Sequence, residues 1–159
     1  MNLYIKDTAG DYRTATPKEI LWAARSQVSR AFPRGCTFSN AQEGRDYFHA
    51  KLVGLENEVF AVAFLDNRHR LIAYEELFSG TIDGCSVHPR VVVQRALHHN
   101  AGAVIFGHNH PSGEAEPSRA DEQITERLKN ALNYLDVRVL DHRVVGDDTI
   151  TSMAERGMI

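Results

Sequence analysis

Apolar positions along the chain follow two periods, one close to four residues and one of two. In "TPKEILWAARSQVSRAF", Ile20, Ala24 and Val28 share one helical face, Thr16 can cap, Pro17 sits at the first helical position and Glu19 lies three residues after the cap. "SNAQEGRDYFHAKLVG" predicts a second helix, with Ser39 or Asn40 as cap and Gly54 as its stop. The pattern then changes. "EVFAVAFLDNRHRLIAYEELFSG" is rich in β-branched and aromatic residues and predicts a β-hairpin about "DNRH". In "HPRVVVQRALHHNAG" three valines favour a strand, but Pro89 and the spacing of Val93, Ala96 and Leu97 favour a helix ending near Gly102. "AVIFGHNH" is a short apolar run suited to a central strand buried on both faces. "SRADEQITERLKNALNYL" carries a clear helical stripe of Ile124, Leu128, Ala131, Leu132 and Leu135. "VRVLDHRVVGDDTITS" predicts two strands around "GDD". Residues 1–15 show no clear periodicity and are expected to be extended or partly mobile. This order of elements predicts an α/β fold, a mixed sheet covered by helices, with "GHNH" closing a central strand.

Composition adds bounds to that picture. A chain of 159 residues, 43% hydrophobic and 25% charged, matches one globular domain. The formal charge of -3 lacks the basic excess of a typical nucleic-acid module. Locally, Arg13, Lys18, Arg25, Arg30 and Arg34 face only Glu19, which allows a small basic patch or a solvated helix face. Cys36 and Cys85 stand far apart and outside any C-x-x-C pair, so free thiols in a reducing compartment are expected rather than a disulfide framework or a cysteine zinc knuckle. "MNLYIKDTAGDYR" lacks the order of a signal peptide, and no apolar run approaches the roughly 18 residues of a membrane span. A cytoplasmic protein without membrane contact is expected.

The chemistry concentrates in "FGHNHPSGEAEPSRAD", residues 106–121. Side chains at i and i+2 of a strand point the same way, so His108 and His110 can face one metal ion while Asn109 points away. Asp121 is the best third ligand, because the loop containing Gly113 can return the chain before the helix begins. Two nitrogens and one carboxylate oxygen describe an open catalytic zinc site. With eight histidines in the chain, an H-x-H proves little by itself. Ser118 and Asp121 also read as a capping box, in which both side chains satisfy orphan amides. His69, His88, His98, His99 and His142 lack such an arrangement and read as surface or hydrogen-bonded histidines.

"HNHPSGEAEPSRAD" resembles the JAMM motif of MPN-domain metalloproteases: H-x-H, seven residues, serine, two residues, aspartate. "FLDNRHRLIAYEELFSGTIDGCSVHPR" followed by "GHNHPSG" is similar to the RadC family within that superfamily. The resemblance spans roughly Ser39 to Ile159, leaving residues 1–38 as an N-terminal extension with one helix and 39–159 as the MPN domain. It implies a three-layer α/β/α fold like that of cytidine deaminases. It also implies one zinc ion held by His108, His110 and Asp121, and Ser118 placed to stabilise a tetrahedral intermediate. The motif further requires an upstream glutamate opening the first strand of the sheet. Glu58 occupies that place and Glu56 is the fallback, although by itself a glutamate there is most often a solvated strand end. Asn109 stands where most JAMM motifs have serine or threonine, as in RadC proteins. No helix-hairpin-helix pattern of the kind found in full-length RadC proteins precedes Ser39, so a short form with a weaker DNA connection is expected.

The leading expectation is therefore a zinc-dependent hydrolase acting on a peptide or isopeptide amide in a peptide or protein substrate. A nucleic-acid-associated protein, as DNA-repair accessory or metal nuclease, is a second reading, and a catalytically silent MPN scaffold is a third. A base deaminase would need H-x-E and P-C-x-x-C ligands, which are absent.

Overall fold

Two strands, Val59–Leu65 and Ala103–Asn109, are buried at every residue, as only the interior of a sheet covered on both faces permits. The computed structural model describes residues 2–81 and 84–159, so Ile82 and Asp83 of the "GTIDGC" stretch lie outside the described residues. In chain order the elements are β1 (Tyr4–Lys6), β2 (Tyr12–Thr14), α1 (Pro17–Ala31), α2 (Ala41–Leu52), β3 (Val59–Leu65), β4 (Leu71–Ser79), α3 (Pro89–His98), β5 (Ala103–Asn109), α4 (Arg119–Asn133), β6 (Arg138–Val145) and β7 (Ile150–Ser152). The five-stranded sheet has the order β4-β3-β5-β6-β7 and is antiparallel throughout except for the β5–β6 pair. A parallel pair needs a crossover, and α4 supplies it.

Helices cover both faces, giving the expected three layers. On one face Tyr47, Phe48 and Leu52 of α2 pack against Val59, Ala61, Ala63, Ile105 and Val145. On the other, Val92 and Ala96 of α3 and Leu128 and Leu132 of α4 pack against Phe60, Val62, Phe64, Val104 and Phe106. Gly107 makes the close approach of α2 possible: a Cβ there would stand 2.3 Å from Cδ1 of Phe48. Among the described residues no helix is long and apolar enough to cross a membrane.

One local expectation is sharpened and another changes in part. Residues 1–15 include a small antiparallel hairpin of β1 and β2, whose turn is organised by Asp7 Oδ1 accepting from Ala9 and Asp11 N–H groups at 2.9 and 3.0 Å. Three-residue strands are too short to show a period. Helix α1 turns toward α2 with Leu21, Arg25 and Val28; Val28 packs on the core as expected and Ile20 is half-buried, but Ala24 is exposed. Leu21 lies under Gly54, and the Arg25 guanidinium donates to the Lys51 and Val53 carbonyls, so a long charged side chain does the work expected of an apolar one.

Candidate metal centre

Strand β5 determines where the histidines point. Phe60 of β3 lies opposite His108, and the Phe60, Phe106 and His108 side chains share the sheet face covered by α3 and α4. His108 is 1% exposed. His110 lies one residue beyond the strand, but its N–H still donates to the Val145 carbonyl at 2.9 Å, which extends the sheet alignment and keeps its ring beside that of His108. The chain then reverses. The Gly113 N–H closes a turn on the His110 carbonyl, with Gly113 at φ +87°, and Asp147 N–H donates to the Gly113 carbonyl at 3.0 Å. This returns the chain to Ser118, the N-cap of α4, and one turn of helix presents Asp121 to the histidines.

Donor atoms of three residues converge. His108 Nε2 lies 2.9 Å from His110 Nε2 and 3.2 Å from Asp121 Oδ1, and His110 Nε2 lies 3.4 Å from Asp121 Oδ2. A tetrahedral ion with ligand bonds of about 2.0–2.1 Å has donor–donor edges of about 3.3 Å, so the two edges that meet at His108 Nε2, 2.9 and 3.2 Å, fit such an ion with small adjustment. The tautomer of His110 supports the fit. Its Nδ1 lies 2.8 Å from the Glu114 carbonyl, which only accepts, so Nδ1 carries the hydrogen and in the neutral ring Nε2 presents a lone pair to the centre. Lone pairs gathered this closely call for a positive charge between them. Burial raises the Asp121 pKa, but the two imidazoles and the Ser118 hydroxyl outweigh it and hold the carboxyl well below the usual carboxylate range. The same contact with Asp121 raises the pKa of His110 against the effect of burial.

Capping leaves Asp121 able to serve as a metal ligand. Its Oδ2 accepts from Ser118 N–H and from Ser118 Oγ–H, each at 2.7 Å, and its own N–H donates to Ser118 Oγ at 3.1 Å. That complete capping box leaves Oδ1 facing His108. The cap therefore orients the candidate ligand. The Ser118 hydroxyl hydrogen is directed at Asp121 in this arrangement.

A cleft of about 430 Å³ opens beside these atoms, lined in part by Glu58, Phe60, Cys85, Ser118 and Ile124. Glu58 is half-buried at the entrance to β3, with its carbonyl accepting from Gly80 N–H at 2.8 Å. Burial raises its pKa; His108 and His110 oppose that shift, and Asp121 adds to it. Glu56 is exposed and lines a separate groove with Lys18, Leu21 and Arg25. Asn109, pointing to the opposite face from His108, fixes the Glu58 backbone from both sides. Its Oδ1 accepts from Val59 N–H at 2.8 Å and its Nδ2 donates to the Asn57 carbonyl at 3.0 Å.

His142 and Thr125 also belong to the site, although their sequence surroundings did not single them out. His142 is hydrogen-bonded, as expected, but it is fully buried directly behind His108, with His142 Nε2 2.8 Å from His108 Nδ1. Thr125 Oγ1 lies 2.5 Å from the other His142 nitrogen. Burial, with His108 adding to it, pushes the His142 pKa well below the usual histidine value. Thr125 left one trace in the sequence: it occupies the inward position between Asp121 and Leu128 on the apolar stripe of α4. Of the other histidines, His99 pairs with Glu75 on the α3 side and His69 contacts Arg138. In the basic stretch, Arg13 is bound to Glu19 and Arg25 to backbone carbonyls, so two of its cations are engaged within the chain.

A mixed sheet between helices, with a His-His-Asp cluster where its central strand meets a capped helix, defines an α/β domain of the JAB/MPN type. Residues 38–158 match the model of the RadC-like JAB domain, and the chain belongs to that family. It is 54% identical over 150 residues to a UPF0758 protein of Thioalkalivibrio sulfidiphilus, covering 94% of this chain and 67% of that one. A UPF0758 protein of Cellvibrio japonicus is 57% identical over 140 residues, covering 88% of this chain and 62% of its own. One from Vibrio cholerae is 53% identical over 140 residues, or 88% of each chain. The chain thus spans about two thirds of the length of the first two relatives.

Proposed function

We propose that this chain is a zinc-dependent metallohydrolase that cleaves amide bonds of the peptide or isopeptide class. One observation carries the reading: three lone-pair donors converge on one point at the edge of an open cleft that also contains a half-buried glutamate. His108, His110 and Asp121 would hold one zinc ion. When bound, zinc supplies a Lewis acid that polarises the scissile carbonyl and acidifies the attacking water.

The remaining steps fall to side chains. Glu58, with its pKa raised by burial, is suited to take the proton of the attacking water and pass it to the leaving amine. Ser118 lies close enough to the ligands to turn its hydroxyl from Asp121 toward the developing oxyanion. The capping contact from Ser118 N–H to Asp121 is independent of that rotation, so the helix start stays in place.

Elemental analysis of purified protein, paired with a peptide and isopeptide cleavage screen, tests the assignment. Near-stoichiometric zinc is expected in wild type and Glu58→Gln, with little in Asp121→Ala, and hydrolysis is expected in wild type only. An active Glu58→Gln enzyme would remove Glu58 from the mechanism. Absence of zinc from wild type after reconstitution would overturn the metallohydrolase reading and favour a scaffold or nucleic-acid-associated role.

A further inference from the structure

We propose that His142 and Thr125 are positioning residues that lock His108 in the tautomer with hydrogen on Nδ1, so that the neutral ring presents a bare Nε2 toward the centre. The consequence for zinc rests on the metal-site reading above; the tautomer itself does not. The assignment follows from counting hydrogens along one chain of contacts, starting at a group whose role is fixed. The Asp121 carbonyl can only accept, and Thr125 Oγ1 lies 2.5 Å from it, so that contact takes the one hydroxyl hydrogen of Thr125. The Met153 sulfur, 3.8 Å from the same oxygen, is too weak an acceptor to compete for it.

With its hydrogen spent, Thr125 Oγ1 is an acceptor toward His142 Nδ1 at 2.5 Å, so His142 Nδ1 carries a hydrogen. A neutral imidazole has only one. A second hydrogen would make His142 a cation with 0% exposure, its ring against Phe60 and Phe106 and its nitrogens on another imidazole and a hydroxyl. His142 Nε2 is therefore the acceptor of the 2.8 Å contact, and His108 Nδ1 is the donor. The opposite polarity would leave the Thr125 and Asp121 oxygens 2.5 Å apart with no hydrogen between them. The circuit closes on the ligand set itself: it begins at the backbone of Asp121 and ends at the ring of His108, tying α4 to β5 through β6. His110 reaches the same state through a single carbonyl, that of Glu114. Outer partners of this kind fix the ring orientation and basicity of a metal-ligating histidine.

Long-range proton–nitrogen correlation spectra of the metal-free protein with labelled histidines read the tautomer directly, with His108 assigned by its loss in His108→Gln. Wild type and Thr125→Ser, which keeps the hydroxyl, are expected to show His108 as the pure Nδ1–H form. Thr125→Val, nearly isosteric, is expected to show mixed tautomers and to weaken zinc binding by about 10- to 100-fold in a chelator competition. An Nε2–H form of His108 in wild type overturns the proposal, as does a Thr125→Val protein with an unchanged tautomer and zinc affinity. Failure of wild type to bind zinc would refute the metal-site reading alone, because the tautomer is read without metal. Thr125→Val is the principal variant because His142→Phe, at a fully buried position, risks misfolding.

Discussion

Asn109→Ala tests how the Glu58 segment is held. The side chain is 3% exposed and its bond with Val59 is buried, so the Val59 N–H has no ready replacement in water. Truncation leaves the Val59 N–H, now bonded at 2.8 Å, without an acceptor at the start of a central strand, a cost of about 1–3 kcal/mol. Loss of the 3.0 Å bond to the Asn57 carbonyl adds about 0.5–1.5 kcal/mol. The 3.4 Å contact with the Leu55 carbonyl adds little, being at the limit of a hydrogen bond. The expected loss is about 2–4 kcal/mol, or roughly 5–15 °C in Tm for a domain of this size. Urea unfolding of the metal-free protein measures it. Because Asn109 points away from His108 and His110, zinc stoichiometry should be unchanged while hydrolysis falls, since Asn57 and Val59 flank Glu58. Asn109→Asp is a sharper control: it keeps an acceptor for Val59 but turns a carboxylate toward two carbonyls, and should cost at least as much. A loss below about 0.5 kcal/mol for Asn109→Ala, or a neutral Asn109→Asp, would refute the clamp.

Two further outcomes follow from the packing and charge of the site. Gly107→Ala places a Cβ 2.3 and 2.6 Å from two ring carbons of fully buried Phe48 and should destabilise by about 1–3 kcal/mol or more in chemical denaturation, whereas a neutral result would show that α2 moves aside freely. Zinc affinity should depend on pH with a definite sign: the His110 pKa is raised, mainly by Asp121, and zinc needs the deprotonated ring. Binding is then full above that raised pKa and weakens as pH falls through it, beginning above the 6.5 of an ordinary histidine; zinc titrations across this range that show a flat affinity would contradict the assignment of His110 as a ligand.

Local pattern determined much of this protein. Periods of about four and two residues located the helices and strands of the main sheet, because amphipathic burial is written at fixed spacing in each element. The same parity put His108 and His110 on one side and Asn109 on the other. "SRAD" announced a capped helix, and the cap proved to be what aims Asp121. The short hairpin at residues 4–14 stayed illegible because strands of three residues contain no period. On helix α1 the apolar pattern points to Ala24, which is exposed, while Arg25 turns inward through its bonds to carbonyls, which an apolar count does not register.

What pairs with what was decided only in three dimensions. Two glutamates near the start of β3 look alike in sequence, but Glu58 lies in the cleft of the histidines and Glu56 in another groove. The clearest case is the β5–β6 register, where Val104 pairs with Val139 and Ile105 with Asp141, so that Leu140 is skipped. That one-residue bulge reverses the parity of everything after it. It sends Asp141 to the α2 side, where it holds Arg143 and Ser152, and brings His142 beside Phe106 and behind His108. Side-chain periodicity belongs to one strand and can be read along it. Register belongs to a pair of strands and is settled by the packing of both faces at once, so the partner of His108 could be known only after folding.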